Sequence, residues 1–114
     1  MQVEYSDPQK SGSFFTKSKK YLVLEVLCVQ AKVKYRVVSD DNDTPVLKEA
    51  TFFKVTDSRI PSNWVAIFNN EKDYFYLGPK SWDVLGFWED YFNFVPEAVK
   101  IFEEEKNIID KECS

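Results

Sequence analysis

The chain has 114 residues, of which 44% are hydrophobic and 30% charged, as expected for one globular domain with one core. It contains no histidine, which excludes Ser-His-Asp triads, histidine general bases and histidine-containing zinc sites. The net charge is −4, and residues 61–114 are the most acidic part. This argues against a nucleic-acid partner, because phosphate contacts need clustered Lys and Arg.

Cysteine and glycine usage excludes further kinds of site. The two cysteines do not make a disulfide framework: Cys28 fits a small buried hydrophobe, and Cys113 is expected to lie in a frayed C-terminus. With three glycines and no GxGxxG or GxxxxGK[ST] motif, no phosphate loop or cofactor is predicted. No apolar segment resembling a signal peptide follows Met1, and the longest apolar run is too short to span a bilayer. We therefore expect a cytoplasmic protein without membrane contact.

Aromatic residues make up 17% of the chain, with ten Phe, six Tyr and three Trp. Most of these rings are expected to fill the core in place of Leu and Ile. Others are expected to lie at the surface as binding anchors, since Tyr and Trp are enriched at interface hot spots. A core of this size does not easily hold all of them.

In chain order, residues 1–19 show no sustained periodicity and predict a flexible N-terminal arm. Phe14 and Phe15 could pin part of this arm to the body, or could begin a short edge strand. Residues 20–114 are predicted to form a single α+β domain.

The stretch 21–30 is rich in β-branched residues, and Glu25 is its only charge, so it predicts a central strand covered on both faces. The stretch 31–40 then alternates, with Ala31, Val33, Tyr35 and Val37 on one face and Lys32, Lys34 and Arg36 on the other. This alternation predicts a half-exposed strand with a solvated basic face. The pattern leaves open whether 21–40 is one bent strand or two strands joined by a tight turn without glycine.

A polar loop is predicted for residues 40–45. Its aspartates do not make an EF-hand, because the glycine and the final glutamate of that motif are missing. Residues 47–56 predict another strand. Residues 64–68 and 73–77 predict a β-hairpin around a turn at 69–72.

After this hairpin the apolar spacing changes from that of strands to that of helices. Ser81 is a predicted N-cap for a short helical turn that ends at Leu85. Gly86 disfavours a continuous helix, so a second helical turn is predicted to begin at Phe87.

Pro96 fits the first position of a C-terminal helix. The apolar stripe of this helix consists of Ala98, Ile101, Phe102, Ile108 and Ile109. Strands followed by helices predict an α+β fold: an antiparallel sheet of about five strands with the C-terminal helices packed on one face.

The carboxylates beside Trp88 are the strongest candidates for chemistry. A carboxyl group near a buried indole can have a raised pKa, but Glu89 and Asp90 are neighbours on a helix and point in different directions. Three interpretations remain: a solvated helix face, an acidic docking edge flanked by Trp88 and Tyr91, and a hydrolase that uses Glu89 or Glu25.

The segment 64–104 resembles small bacterial immunity proteins, which protect cells against polymorphic or contact-dependent growth-inhibition toxins. The likeness lies in the succession FYLGP, a Trp, GFWEDYF and PEAVKIFEEE. The resemblance implies an acidic, non-enzymatic cytoplasmic protein without a cofactor. It also implies that the partner is a cognate toxin domain, such as a basic nuclease, whose active site the protein occludes.

The predicted partner-binding surface combines acidic charge with apolar anchors. Its acidic residues are Asp83, Glu89, Asp90, Glu103 and Glu104, in the run that continues to Glu105. Its aromatic anchors are Trp82, Trp88 and Tyr91. The alternatives from other functional classes are a small hydrolase without histidine and a ligand-binding or scaffold module.

Overall fold

The computed structural model describes residues 1–6 and 14–113. These residues form an antiparallel sheet with helices at the C-terminal end, which confirms the predicted α+β class. The strands are β1 (Gln2–Tyr5), β2 (Lys20–Val29), β3 (Lys32–Val38), β4 (Pro45–Glu49), β5 (Phe53–Asp57), β6 (Trp64–Asn69) and β7 (Tyr74–Pro79). The helices are α1 (Phe87–Phe92) and α2 (Pro96–Cys113). The described part of the sheet thus has seven strands, where about five were predicted.

The long central strand β2 organises the sheet. It pairs with β3 along one edge. On its other edge, the first residues of β2 pair with β1 and the last residues pair with β7. Because β5 lies outside β1 and β6 lies outside β7, the sheet divides into two arms at β2. The prediction that β2 is central and covered on both faces is confirmed, and Glu25 on this strand is only 1% exposed.

The connection between β2 and β3 answers the question that the sequence left open. Val29 pairs with Lys32, so only Gln30 and Ala31 lie in the turn. Both have positive φ, 51° and 66°, as in the two-residue turns that suit hairpins. Residues 20–38 are therefore two strands joined by a tight turn without glycine.

The N-terminal segment differs from the predicted flexible arm. Residues 2–5 form β1, which lies between β2 and β5, and Val3 and Tyr5 are buried. Phe15 is 4% exposed, and its ring stacks on Tyr5 with centroids 5.3 Å apart. A strand with two inward residues is too short to show periodicity, which is why pattern analysis missed it. Residues 7–13 of the predicted arm lie outside the described residues.

The predicted strand 47–56 is interrupted. A 3₁₀ turn at Ala50–Phe52 separates β4 from β5, so that β5 leaves β4 and pairs with β1. The predicted hairpin of β6 and β7 is confirmed, with the turn at Asn70–Lys72 and Asp73 in the left-handed region at φ 52°.

The segment before α1 also differs from the prediction. Lys80–Trp82 forms a 3₁₀ turn, and the chain then runs without helix until α1 begins at Phe87, as predicted. Ser81 does not cap a helix; its hydroxyl donates to Glu105 Oε2 at 3.1 Å. Gly86 has φ 83°, a conformation that favours glycine and reverses the chain before α1.

Helix α2 packs across the sheet with most of its predicted stripe inward. Ala98, Phe102 and Ile109 are buried, whereas Ile108 is 37% exposed. Cys113, expected to be frayed, is the last residue of α2 and is fully buried, and its carbonyl accepts a hydrogen bond from Gln2 Nε2 at 2.7 Å. None of the described helices has the length and apolar character needed to cross a membrane.

Many of the aromatic rings form two clusters on opposite faces of the sheet. Neighbouring residues of a strand point to opposite faces. Tyr35 of β3 contacts Phe53, whereas Arg36 contacts Trp88. We call the first group the N-terminal ring cluster; it consists of Tyr5, Phe15, Tyr21, Tyr35 and Phe53. We call the second group the C-terminal ring cluster; it consists of Trp82, Phe87, Trp88, Tyr91, Phe92 and Phe102.

Candidate functional site

An open cleft of about 400 Å³ lies between the sheet and the segment that leads into α1. Strands β2 and β7 supply its floor, and residues 82–89 supply one wall and the rim. It is lined by Glu25, Leu27, Tyr74, Tyr76, Trp82, Asp83, Val84, Leu85, Gly86, Phe87, Trp88 and Glu89. Since rings and carboxylates dominate this lining, we call it the acidic aromatic cleft.

The floor of the cleft contains a buried ion pair. Arg36 Nε donates to Glu25 Oε2 at 2.9 Å, and the Tyr76 hydroxyl lies 2.8 Å from Glu25 Oε1. The guanidinium carbon of Arg36 lies 3.9 Å from the centroid of the Trp88 ring. Arg36 is 8% exposed, so the predicted solvated face of β3 is wrong at this position. Glu25 balances the charge of Arg36, and Trp88 covers the pair.

The protonation of Glu25 is coupled to Tyr76. Burial raises the pKa of the Glu25 carboxyl, although the charge of Arg36 and hydrogen bonds from Arg36, Tyr76 and Trp88 partly offset this shift. Burial and the nearby Glu25 charge also raise the pKa of the Tyr76 hydroxyl. That hydroxyl has one proton and two acceptors within reach, Glu25 Oε1 and, at 3.0 Å, the Pro79 carbonyl. An ionised Glu25 accepts a hydrogen bond from the Tyr76 hydroxyl, whereas a protonated Glu25 can donate to Tyr76 and leave Tyr76 to donate to the Pro79 carbonyl.

Gly78 makes room for this network. A Cβ atom at position 78 would lie 2.5 Å from the Tyr76 hydroxyl oxygen and 2.8 Å from the Glu25 Cβ atom. Any larger residue would displace one of the two. Both oxygens of Glu25 are engaged, which favours a structural role for this carboxylate over a role as a catalytic base.

The rim of the cleft is acidic and exposed. The Tyr74 hydroxyl donates to Asp83 Oδ1 at 2.7 Å, and burial together with Asp83 raises the pKa of Tyr74. Glu89 of α1 is exposed and also lines the cleft. Between them, Val84 is 59% exposed and Leu85 is fully exposed. The rim thus pairs two carboxylates with two apolar side chains.

The three predicted aromatic anchors differ in how deeply they are buried. Trp82 is 2% exposed and stacks on Phe102 with centroids 5.3 Å apart, so it supports the surface from below. Trp88 and Tyr91 are half-buried. The Tyr91 ring also packs on Phe102, at 4.4 Å. Trp88 and Tyr91 are therefore the predicted anchors with a face open to solvent.

The predicted acidic residues are all exposed but do not form one group. Asp83 and Glu89 share the cleft, and Asp90 lies next to Glu89 on α1. Glu103 lies on α2, and its charge contributes to the raised pKa of Tyr91. Glu104 also lies on α2, outside the cleft lining.

Sequence analysis missed a second exposed region at the end of α1. Phe92 is 44% exposed and Phe94 is 83% exposed. Phe94 has φ 60°, an uncommon conformation for a bulky residue. Together with the 42–45 loop these rings line a second cleft of about 390 Å³. In the sequence this region is marked by the triplet Phe-Asn-Phe at residues 92–94, whose two rings belong neither to the apolar stripe of α2 nor to a strand.

No group of three or more Cys, Asp or Glu residues in the described ranges could hold a metal ion. Comparison of the chain with protein-family models, with curated proteins and with solved structures gives no significant match. The function of the protein is therefore inferred from the chemistry of its own surface.

Proposed function

We propose that the protein binds and inhibits a basic protein partner, a toxin domain, through the surface formed by residues 83–95. The observation that carries this proposal is the composition of that surface. It exposes large apolar side chains at Val84, Leu85, Phe92 and Phe94 beside carboxylates at Asp83, Glu89 and Asp90. Apolar patches surrounded by polar residues mark sites of protein interaction.

Two apolar side chains of this surface, those of Leu85 and Phe94, make little contribution to the fold of the free chain. Leu85 is fully exposed and Phe94 is 83% exposed, so neither buries much area. Both project from segments that are held from below by the buried rings of Trp82 and Phe102. A rigid support of this kind reduces the entropy lost on association and so favours tight binding.

The carboxylates of the surface are available for a partner. None of the ion pairs found among residues 1–6 and 14–113 involves Asp83, Glu89 or Asp90. Unpaired surface charge of one sign steers a partner of the opposite sign and raises the rate of association. The partner is therefore expected to be basic, in agreement with the resemblance of 64–104 to immunity proteins.

A growth-rescue assay tests the proposal. The neighbouring upstream gene is expected to encode a large protein with a toxic C-terminal domain. Cells that express this domain should survive when the protein is co-expressed, and the two proteins should co-purify. Failure of the protein to protect such cells or to bind the domain would remove the proposal.

A pair of variants then locates the surface. Leu85→Ser should weaken the complex about tenfold or more, because burying a leucine side chain contributes about 1.5–3 kcal/mol and about 1.4 kcal/mol corresponds to a tenfold change in affinity. Ile60→Ser is the matched control, since Ile60 is 56% exposed but lies between β5 and β6. Equal affinities for the two variants would contradict the assignment of the surface.

A further inference from the structure

We propose that the acidic aromatic cleft is a receptor for an arginine side chain of the protein partner. This inference rests on the proposed function in taking the partner to be a protein. The binding of a guanidinium group by the cleft can be measured without that partner.

The charge of the cleft is negative. The described residues that line the cleft include three carboxylates, Glu25, Asp83 and Glu89, and no Lys or Arg. Arg36 pairs with Glu25 beneath the floor, which leaves the charges of Asp83 and Glu89 at the opening. The cleft therefore favours a cation and disfavours an anion.

The walls of the cleft are rich in aromatic rings. The half-buried rings of Tyr74 and Trp88 line the cleft, and the buried ring of Trp82 also borders it. A guanidinium group is planar and weakly hydrated, so it stacks on such rings better than an ammonium group does. The molecule already contains this arrangement once, because Arg36 stacks on Trp88 while it donates to Glu25.

The size of the cleft matches a long side chain. A volume of about 400 Å³ is sufficient for a long side chain and is near the lower end of the range for ligand sites. The methylene stem of an arginine can contact the apolar side chains of the lining, which are Leu27, Val84 and Leu85. Its charged end can bind the carboxylates of the lining, Asp83 and Glu89. Asp83 Oδ1 accepts from Tyr74, so this carboxylate is held in place before a ligand arrives.

The test is an NMR titration of ¹⁵N-labelled protein that follows the indole N–H signals of Trp82 and Trp88. N-acetyl-arginine methylamide should cause saturable shifts with a dissociation constant on the order of millimolar, as expected for so small a ligand. The citrulline analogue has nearly the same shape without the charge and should bind at least about fivefold more weakly. Equal binding of the citrulline or lysine analogue, or the absence of a saturable shift, would overturn the inference.

Matched variants locate the bound group. The double variant Asp83→Asn with Glu89→Gln keeps the size and hydrogen bonding of the rim and should weaken arginine binding at least about fivefold. The control is Glu49→Gln with Glu97→Gln, which removes the same charge at exposed positions outside the cleft. If both double variants lost the same affinity for the arginine compound, the change in net charge alone would explain the loss, and the inference would be contradicted.

The same variants separate this inference from the proposed function. If the rim double variant protects cells and binds the toxin with unchanged affinity, the partner does not use the cleft and the inference fails while the proposed function stands. If the wild-type protein binds the arginine compound but protects no cell, the proposed function fails, and with it the assignment of the ligand to a toxin.

Discussion

The two ring clusters have similar compositions but different relations to solvent. All five members of the N-terminal ring cluster are at most 9% exposed. In the C-terminal ring cluster, Trp82, Phe87 and Phe102 are buried, but Trp88 and Tyr91 are half-buried and Phe92 is 44% exposed. The first cluster is a closed core, and the second is a core on one side and a surface on the other.

The polar groups of the two clusters differ in the opposite sense: the ion pair is partly exposed at the closed cluster and buried at the open one. At the N-terminal ring cluster, Tyr21 donates to Asp40 at 2.8 Å, and Asp40 pairs with the exposed Lys19 at the edge of the sheet. At the C-terminal ring cluster, the pair of Glu25 and Arg36 lies beneath the rings. A buried pair is costly unless every group is satisfied, and here the guanidinium group of Arg36 also contacts the ring of Trp88, which suggests the hypothesis that the pair positions this ring.

The largest expected effect follows from removing one member of the buried pair. Arg36→Met leaves Glu25 buried without its counter-ion and should lower the free energy of unfolding by about 3–5 kcal/mol near neutral pH. Urea denaturation followed by tryptophan fluorescence measures this loss. Arg59→Met is the control, because Arg59 pairs with Asp57 on the surface and the midpoint should hardly change.

A second result would decide whether the pair fixes the position of Trp88 or only stabilises the fold. The double variant Glu25→Leu with Arg36→Met removes both charges and should recover much of the stability lost by Arg36→Met alone. Near-ultraviolet circular dichroism should still differ from the wild type, because the ring of Trp88 no longer rests on a guanidinium group. An unchanged spectrum would contradict the positioning role.

A pair of Phe variants tests the contrast between the clusters directly. Phe15→Ala removes a ring that is 4% exposed and should cost about 3 kcal/mol or more of unfolding free energy. Phe92→Ala should cost less, about 1–1.5 kcal/mol, because the ring is 44% exposed and buries only part of its area, yet it should weaken partner binding. Denaturation and pull-down of the toxin domain measure the two effects. Equal stability losses would show that the C-terminal ring cluster is a closed core as well.

Much of the fold could be predicted from local pattern. The hairpin of β6 and β7 has apolar segments around a polar turn, and α2 has a clear stripe from Ala98 to Ile109. Strand β1 could not be predicted, because its stability comes from pairing with both β2 and β5, and these contacts are distant in sequence. Pairing partners of that kind leave no signal in a four-residue segment.

Only part of the candidate site could be predicted, because some of its contacts depend on how the strands pair. The carboxylates Asp83 and Glu89 could be singled out because they flank tryptophans in the sequence. The pairing of Glu25 with Arg36 depends on a bulge in β2 between Val23 and Glu25, which sets these two residues opposite each other. A lone charge in an apolar strand was visible, but its partner was assigned to solvent because the position of the bulge could not be known.

The smallest expected effect is a pH dependence of opposite sign in the two regions. Burial raises the pKa of Glu25 above the ordinary value of 4.5, so the folded state binds the proton more tightly than the unfolded state. The contribution of Glu25 to stability should therefore be largest below about pH 4.5 and should fall as the pH rises through the raised pKa. Lys19 lowers the pKa of Asp40 below 3.8, so its contribution is present above that pH and is lost as the pH falls through the lowered value.

Both contributions to stability can be measured by urea denaturation at a series of pH values, with the wild type compared with Glu25→Gln and Asp40→Asn. As the pH falls from neutrality to 4.5, the stability of the wild type should rise relative to Glu25→Gln. The advantage of the wild type over Asp40→Asn should stay constant in that range and shrink only below about pH 3.8. The Asp40 effect should be the smaller of the two, because its ion pair is exposed and screened by solvent. A wild type that loses stability relative to Glu25→Gln on mild acidification would mean that Arg36 outweighs burial, and that the pair beneath Trp88 behaves like the exposed pair at the other cluster.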